Sequence, residues 1–395
     1  MAMKVLSAEC YTSDQPIFER EILQHLRTAN PEHFGYSFIN HLVDDFEHEG
    51  PNGTHACLVF ELMGETLASY GTWFRDHMVP NSVMRGLTTQ LLIALLYAHE
   101  NNVIHTGRSL RETISWQAVA NIRPDIKPDN IFVKFQDLSM IDDEYLTDTP
   151  EDVVSSEESY RIIKSWPLNG YYFRNQGDVL DCQVTLGDWG VASWADNHLT
   201  EFIQPLALRA PEVLIGAPWN TTTDLWNLGA VVLEVFRAVR MFSGEEEDGT
   251  YTVQRHLQEM VAFFGAFPSS FLARGNQELV GHLFSDDGAV KDARAFDLPP
   301  LMDDAWMGGP ELLDPKDREN FVSFLNFMMK IDPSERPTIM DLLRHPWLNA
   351  ITQDEDGKDE KDEKDEKGEP EADHDRDSPQ EGDVSESTRE EASLS

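Results

Sequence analysis

The chain has 395 residues, enough for one large or two modest domains, and 41% of them are hydrophobic, enough to fill a core of that size. It carries 31 Lys and Arg against 71 Asp and Glu, a net charge of −40. That balance excludes a basic nucleic-acid footprint over the whole chain and favours cationic partners over anionic lipid, although acidity also serves plain solubility.

Cys10, Cys57 and Cys182 are odd in number and widely spaced. They indicate neither a disulfide framework nor a zinc site, and a reducing compartment fits. The N-terminal M-A-M-K-V-L-S-A-E lacks the apolar stretch of a signal peptide, and Q-L-L-I-A-L-L-Y-A at 90–98 is too short to span a bilayer. The expectation is a soluble intracellular protein.

In chain order, residues 3–6 read as a short strand. Residues 15–26 place apolar side chains at 17, 18, 22, 23 and 26, a helical period. A buried strand is expected at 56–62, ended by Gly64, then a long amphipathic helix at 84–99. Strands follow at 131–135 and 182–186. Between them, 136–181 is rich in Asp, Glu and Ser and reads as a flexible acidic excursion rather than a core element. From Asp224 to Phe236 the sequence is apolar nearly all round, the mark of a helix buried on every side. Helical patterns run on to Leu348, the last opening after Pro337. The tail, 349–395, holds 19 acids and 6 bases, −13 in net charge, with D-E-K triplets at 359–367, and should be disordered. The rest of the chain keeps −40 + 13 = −27.

Chemistry concentrates at N-I-R-P-D-I-K-P-D-N-I-F-V, residues 121–133, where Asp125, Lys127 and Asn130 precede a strand. Alone, D-x-K-x-x-N is equally a solvated loop. G-D-W-G at 187–190, after the strand ending at Leu186, gives it company. Together they suit phosphoryl transfer, which needs a carboxylate for the hydroxyl proton, oxygen ligands for Mg²⁺ and cations against phosphate. Asp125 is then the base, Lys127 contacts the transferred group, and Asn130 and Asp188 hold the metal. Lys4 on the first strand and Glu21 in the first helix are candidates for a pair that steadies the α- and β-phosphates; otherwise they are ordinary surface charges. Arg336, in D-P-S-E-R-P, can pair with Glu212 of A-P-E at 210–212.

In this order the motifs resemble the protein-kinase superfamily over roughly residues 1–348. The matching features are Lys4, Glu21, a hinge at Glu61-Leu62-Met63-Gly64, His105, Asp125-Lys127-Asn130, Asp188-Trp189-Gly190, Ala210-Pro211-Glu212, Asp224 with Trp226 and Gly229, and Arg336. Within it, M-K-V-L-S-A-E-C-Y-T, I-H-T and E-V-L-I-G-A-P-W-N-T-T-T-D-L-W resemble the SR-protein kinases, which phosphorylate serines in Arg-Ser repeats. The resemblance implies an α+β two-lobe fold. A small antiparallel sheet lobe (1–64) sits over a large helical lobe (65–348), with ATP and Mg²⁺ between them and Glu61 and Met63 at the nucleotide. It further implies basic Arg-Ser-rich substrates, a link to mRNA splicing, a monomer, and residence in cytoplasm and nucleus. It implies neither direct nucleic-acid binding nor a membrane. The excursion 136–181 lies where that family carries a variable spacer. Thr106 stands where most kinases have an arginine that receives a loop phosphate, which implies activity without loop phosphorylation. Glu245, Glu246, Glu247 and Asp248 are either a docking patch for cationic substrates or a solvated loop.

Three departures stand out. No G-x-G-x-x-G motif occurs, and the chain opens at what would be the third strand, which leaves an exposed sheet edge. Eighteen residues, 107–124, separate I-H-T from Asp125; with three arginines and one glutamate they look foreign to the fold, most simply an in-frame retained intron, the alternative being a natural loop that bulges out and leaves the site intact. Pro205 cannot make the hydrogen bond to the catalytic aspartate that a threonine near that place makes in many kinases. Two readings therefore compete: an ATP-dependent serine/threonine kinase, and a catalytically impaired kinase-fold scaffold for basic partners.

Overall fold

The computed structural model describes residues 1–8, 17–106, 128–148, 153–157, 160–163, 168, 171–173, 176–292, 298–308 and 313–349. Asp125, Lys127, the 107–124 stretch and Cys10 lie outside the described residues, as does the acidic tail, which belongs to a second unit, Ile351–Ser395.

The small sheet has three antiparallel strands in the order β1-β3-β2: β1 (Ala2–Val5), β2 (Leu42–Gly50) and β3 (Gly53–Phe60). Lys4 sits opposite Leu58, which is fully buried. Strand β2 gives no strand signal in the sequence. It reads L-V-D-D-F-E-H-E-G, its polar side chains lie mostly in solvent, and its register slips between Leu42 and Asp44. Such a charged, bulged strand is what a protected sheet edge requires. Asn52-Gly53 closes the hairpin, and Gly53, at φ 119°, supplies a backbone angle that other residues rarely adopt. Helix α1 (Glu19–Thr28) buries Ile22, Leu23 and Leu26 and ties itself to β2 through Arg20 and Gln24 on Asp45.

The helical part is built around α2 (Asn81–Glu100) and the apolar Thr222–Arg237 helix, which is buried along nearly its whole length. Gly229 of that helix has no room for a Cβ, which would lie 2.5 Å from Met329. Trp347 packs against the rings of Phe321 and Phe324 at 4.9 and 4.8 Å. Two short ribbons carry the chemistry: β4 (Val103–Ile104) with Ser193–Trp194, and β5 (Ile131–Val133) with Val184–Leu186. The buried side chains form one continuous core from Leu6 to Trp347. The fold is α+β. Among the described residues no helix is long and apolar enough to cross a membrane.

The excursion 136–181 departs from the expectation of a segment outside the core. A π-helical turn at Met140–Tyr145 buries Met140 and Ile141, a hairpin pairs Val153–Glu157 with Tyr160–Ile163, and Gln176–Leu180 is helical. Tyr172 is buried as well. The acid-rich average of the segment concealed these few apolar anchors, which suffice to dock its ends.

Candidate active site

The strand lysine is the centre of the site. Lys4 Nζ lies 2.6 Å from Glu19 Oε1 and 3.0 Å from Asp188 Oδ1. Glu19, not Glu21, is therefore the helix partner. Positions 19, 22, 23 and 26 share one face of α1 and are buried together, whereas Glu21 points to solvent. The i, i+3, i+4, i+7 pattern was the signal that could have chosen Glu19. Burial works against the charge on Lys4, but Glu19 and Asp188 outweigh it and raise its pKa. Burial also raises the pKa of Glu19, with Lys4 opposing.

Asp188 adopts φ 55° directly after Gly187, which turns its carboxylate toward the cleft. Gly187 has no alternative, since a Cβ there would fall 2.6 Å from the Phe132 ring. Asn130 Nδ2 donates to Asp188 Oδ2 at 3.1 Å, and the Asn130 carbonyl accepts the Gly187 amide at 2.9 Å. The amide and the carboxylate picked out from D-x-K-x-x-N and G-D-W-G thus meet at one corner. The cleft has a volume of about 360 Å³, within the usual range for small-molecule sites, and Glu61, Met63, Gly64, Asn40 and Phe132 help line it. Asn40 and Phe132 carried no sequence signal. The Gly64 amide donates to Val133 O at 2.8 Å, so the hinge backbone is paired with the strand that follows Asn130.

Beneath this site sits Asp224, fully buried. Its Oδ2 accepts the His105 amide at 2.9 Å and faces His99 Nε2 at 2.9 Å; its Oδ1 accepts the Thr106 amide at 3.1 Å. His105 Nε2 reaches the Gly187 carbonyl at 2.9 Å, and Thr106 Oγ1 donates to Val191 O at 2.6 Å. Thr106 fills its place with a hydroxyl that is committed to a backbone carbonyl. Arg336 makes two bonds of 2.6 Å to Glu212, both side chains fully buried. Pro205 follows Gln204, whose φ is 65° and whose amide bridges the Thr223 carbonyl and the Ala210 N–H, so Gln204 holds this loop.

The protein kinase domain family matches residues 171–348. A serine/threonine protein kinase of Aspergillus fumigatus is 30% identical over 334 residues, 84% of this chain and 74% of that protein. This chain belongs to the protein-kinase family. Its relatives include members of the SR-protein kinase family. The serine/threonine-protein kinase SRPK of Physarum polycephalum is 26% identical over 364 residues, 89% of this chain and 80% of that one. Protein kinase dsk1 of Schizosaccharomyces pombe is 23% identical over 426 residues, 89% of this chain and 76% of that one. The protein is a serine/threonine protein kinase, and ATP is the phosphoryl donor of its class. The two-lobe fold and the cleft between sheet and helices take their meaning from that membership.

Proposed function

We propose that this kinase transfers the γ-phosphate of Mg²⁺-bound ATP to serines of basic, Arg-Ser-rich proteins, a role linked to mRNA splicing control in cytoplasm and nucleus. The acidity of the body supports the substrate class. Residues 1–348 with the tail removed keep a charge of −27, and a negative surface steers and retains cationic chains. Glu245, Glu247 and Asp248 are exposed on a loop whose base is fixed by buried Glu259, which accepts the Ser243 and Gly244 amides, both at 2.9 Å.

Lys4, steadied by Glu19, meets the α- and β-phosphates. Asn130 and Asp188 offer oxygen ligands. With two protein oxygen ligands, a Mg²⁺ ion here would complete its shell with phosphate and water oxygens. The metal would neutralise charge on the phosphates. Asp125, by its spacing to Asn130, accepts the serine proton, and Lys127 contacts the transferred group. The second reading, a scaffold without activity, is favoured by the eighteen residues between Thr106 and Asp125.

Phosphate transfer from Mg-ATP to an Arg-Ser-repeat peptide, with Asp125→Asn as the blank, separates the two. Transfer abolished by the substitution supports the kinase reading. No transfer above the blank, with the peptide still bound, supports the scaffold.

A further inference from the structure

Gly64 is closely packed. Its amide donates to Val133 O at 2.8 Å, and the Val133 amide returns a bond of 2.8 Å to Glu65 O. A Cβ on Gly64 would meet Val133 O at 2.8 Å and, at 3.3 Å, the ring of Tyr172 from the acidic excursion. Tyr172 is 9% exposed and also packs on Phe135, with ring centroids 5.3 Å apart. Phe173 continues the contact, edge-to-face with Trp73 at 5.7 Å and 89°. The segment is fastened behind these rings as well. The Tyr70 hydroxyl donates to Val179 O, and Gln136 Nε2 donates to the carbonyls of Asp178 and Asp181 at 2.9 and 2.8 Å.

Gly64 lines the cleft together with Glu61 and Met63, and Phe132, one residue before Val133, lines its floor. A glycine at a cleft wall has the widest backbone freedom of any residue unless something removes it. Here the Tyr172 ring and the Val133 carbonyl, both against the position a Cβ would take, remove it. We infer that Tyr172 and Phe173, backed by the Gln176–Leu180 helix, form a clamp on the hinge, with Tyr172 a positioning residue that sets nucleotide affinity. The inference rests on the kinase reading of the cleft. It gives the second half of the excursion a task that composition alone does not suggest.

The test is ATP binding by calorimetry on the full chain, together with KM for ATP and kcat. Tyr172→Ala should raise Kd and KM about tenfold and leave kcat within about twofold, since ground-state and transition-state binding weaken together. Tyr172→Phe should retain wild-type values, because the ring and not the hydroxyl meets Gly64. Loss of fold stability alone would move neither the KM-against-kcat split nor the Tyr172→Phe rescue. Should Tyr172→Ala not fold, Phe173→Leu, which loosens the outer contact only, should raise Kd about threefold. Unchanged ATP affinity in a folded variant overturns the clamp alone. Failure of the wild-type chain to bind ATP overturns the nucleotide reading and the clamp with it.

Discussion

Replacing Asp224 tests how the helical core holds the catalytic loop. Its carboxylate is fully buried and is the acceptor for two backbone amides and a histidine nitrogen at 2.9–3.1 Å. Thr106, at φ 57°, is a β-branched residue in the left-handed region, a conformation that costs about 1–3 kcal/mol unless the surroundings enforce it. In Asp224→Ala the His105 and Thr106 amides lose their acceptor inside the core, each at about 1–3 kcal/mol. Together with the lost restraint on Thr106, the expected loss of stability is about 4 kcal/mol. Asp224→Asn fills the space but offers one oxygen where two are used. With that oxygen at the Oδ2 position it keeps His105 and His99 and turns an amide donor toward the Thr106 N–H, so about 2 kcal/mol should be lost.

Urea unfolding followed by far-UV circular dichroism measures both values. ATP affinity, measured beside it, should change little, because Lys4, Glu19 and the hinge do not touch Asp224; transfer should fall about a hundredfold, the scale set by a shift of about 1 Å in the loop. A loss below about 1 kcal/mol in Asp224→Ala would refute the reasoning, since water or a local shift would then have replaced the carboxylate.

Glu19→Gln should lower kcat/KM by about ten- to a hundredfold, while Glu21→Gln, on the solvent face of α1, should stay within about twofold in the same peptide assay. Arg336→Ala strands the fully buried Glu212 carboxylate and should cost about 3–5 kcal/mol in urea unfolding. His256 is fully buried among Tyr251, Phe242 and Arg209, and burial, then Arg209, pushes its pKa down to about 3. Its unfolded form binds a proton near pH 6.5 and its folded form does not, so its contribution to stability is complete above pH 6.5 and is lost as pH falls toward 3. Between pH 7.5 and 5 that is about 2 kcal/mol, and His256→Phe should flatten the stability profile by that amount. Deleting residues 107–124 should change stability by no more than about 2 kcal/mol and raise transfer about a hundredfold; unchanged transfer would mean that Asp125 is already in place.

The parts of the fold that the sequence disclosed are those where one physical demand dominates. The Asp224–Phe236 run is apolar on every face because it is enclosed on every face, and the structure buries it. Asn130, Asp188, Glu212 and Arg336 sit in short motifs whose spacing survives any surrounding sequence, and they meet as that spacing implied. Strand β2 stayed hidden because an edge strand is selected against looking like a strand: its Asp and Glu keep neighbouring chains away. Glu19 stayed hidden because counting residues from Lys4 ignored the helical face, and the face decides which acid is enclosed with Ile22 and Leu23. Tyr172 and Phe173 were lost in the acid-rich mean of 136–181, although two anchored rings are enough to dock a segment.

The interrupted loop shows why a kinase fold can be fully legible where its chemistry is in question. Both flanks of the interruption are fixed to the same stretch of chain: His105 and Thr106 to the carbonyls of Gly187 and Val191, Asn130 to the amide of Gly187 and the side chain of Asp188. Between Thr106 and Pro128 the chain has 127 − 107 + 1 = 21 residues; without 107–124 it would have 3. Loop-closure entropy grows only with the logarithm of length, so this sevenfold extension costs about 1.7 kcal/mol. Stranding the two amides that Asp224 satisfies at the first flank would cost about 2–6 kcal/mol, more than that, so this flank holds. Catalysis follows a different scale. Its dependence on position is exponential in the energy of misplacement, and Asp125 stands at the C-terminal end of the added length. The same eighteen residues are therefore a small perturbation to folding, and the activity of the deletion variant measures whether they displace Asp125 without disturbing the fold.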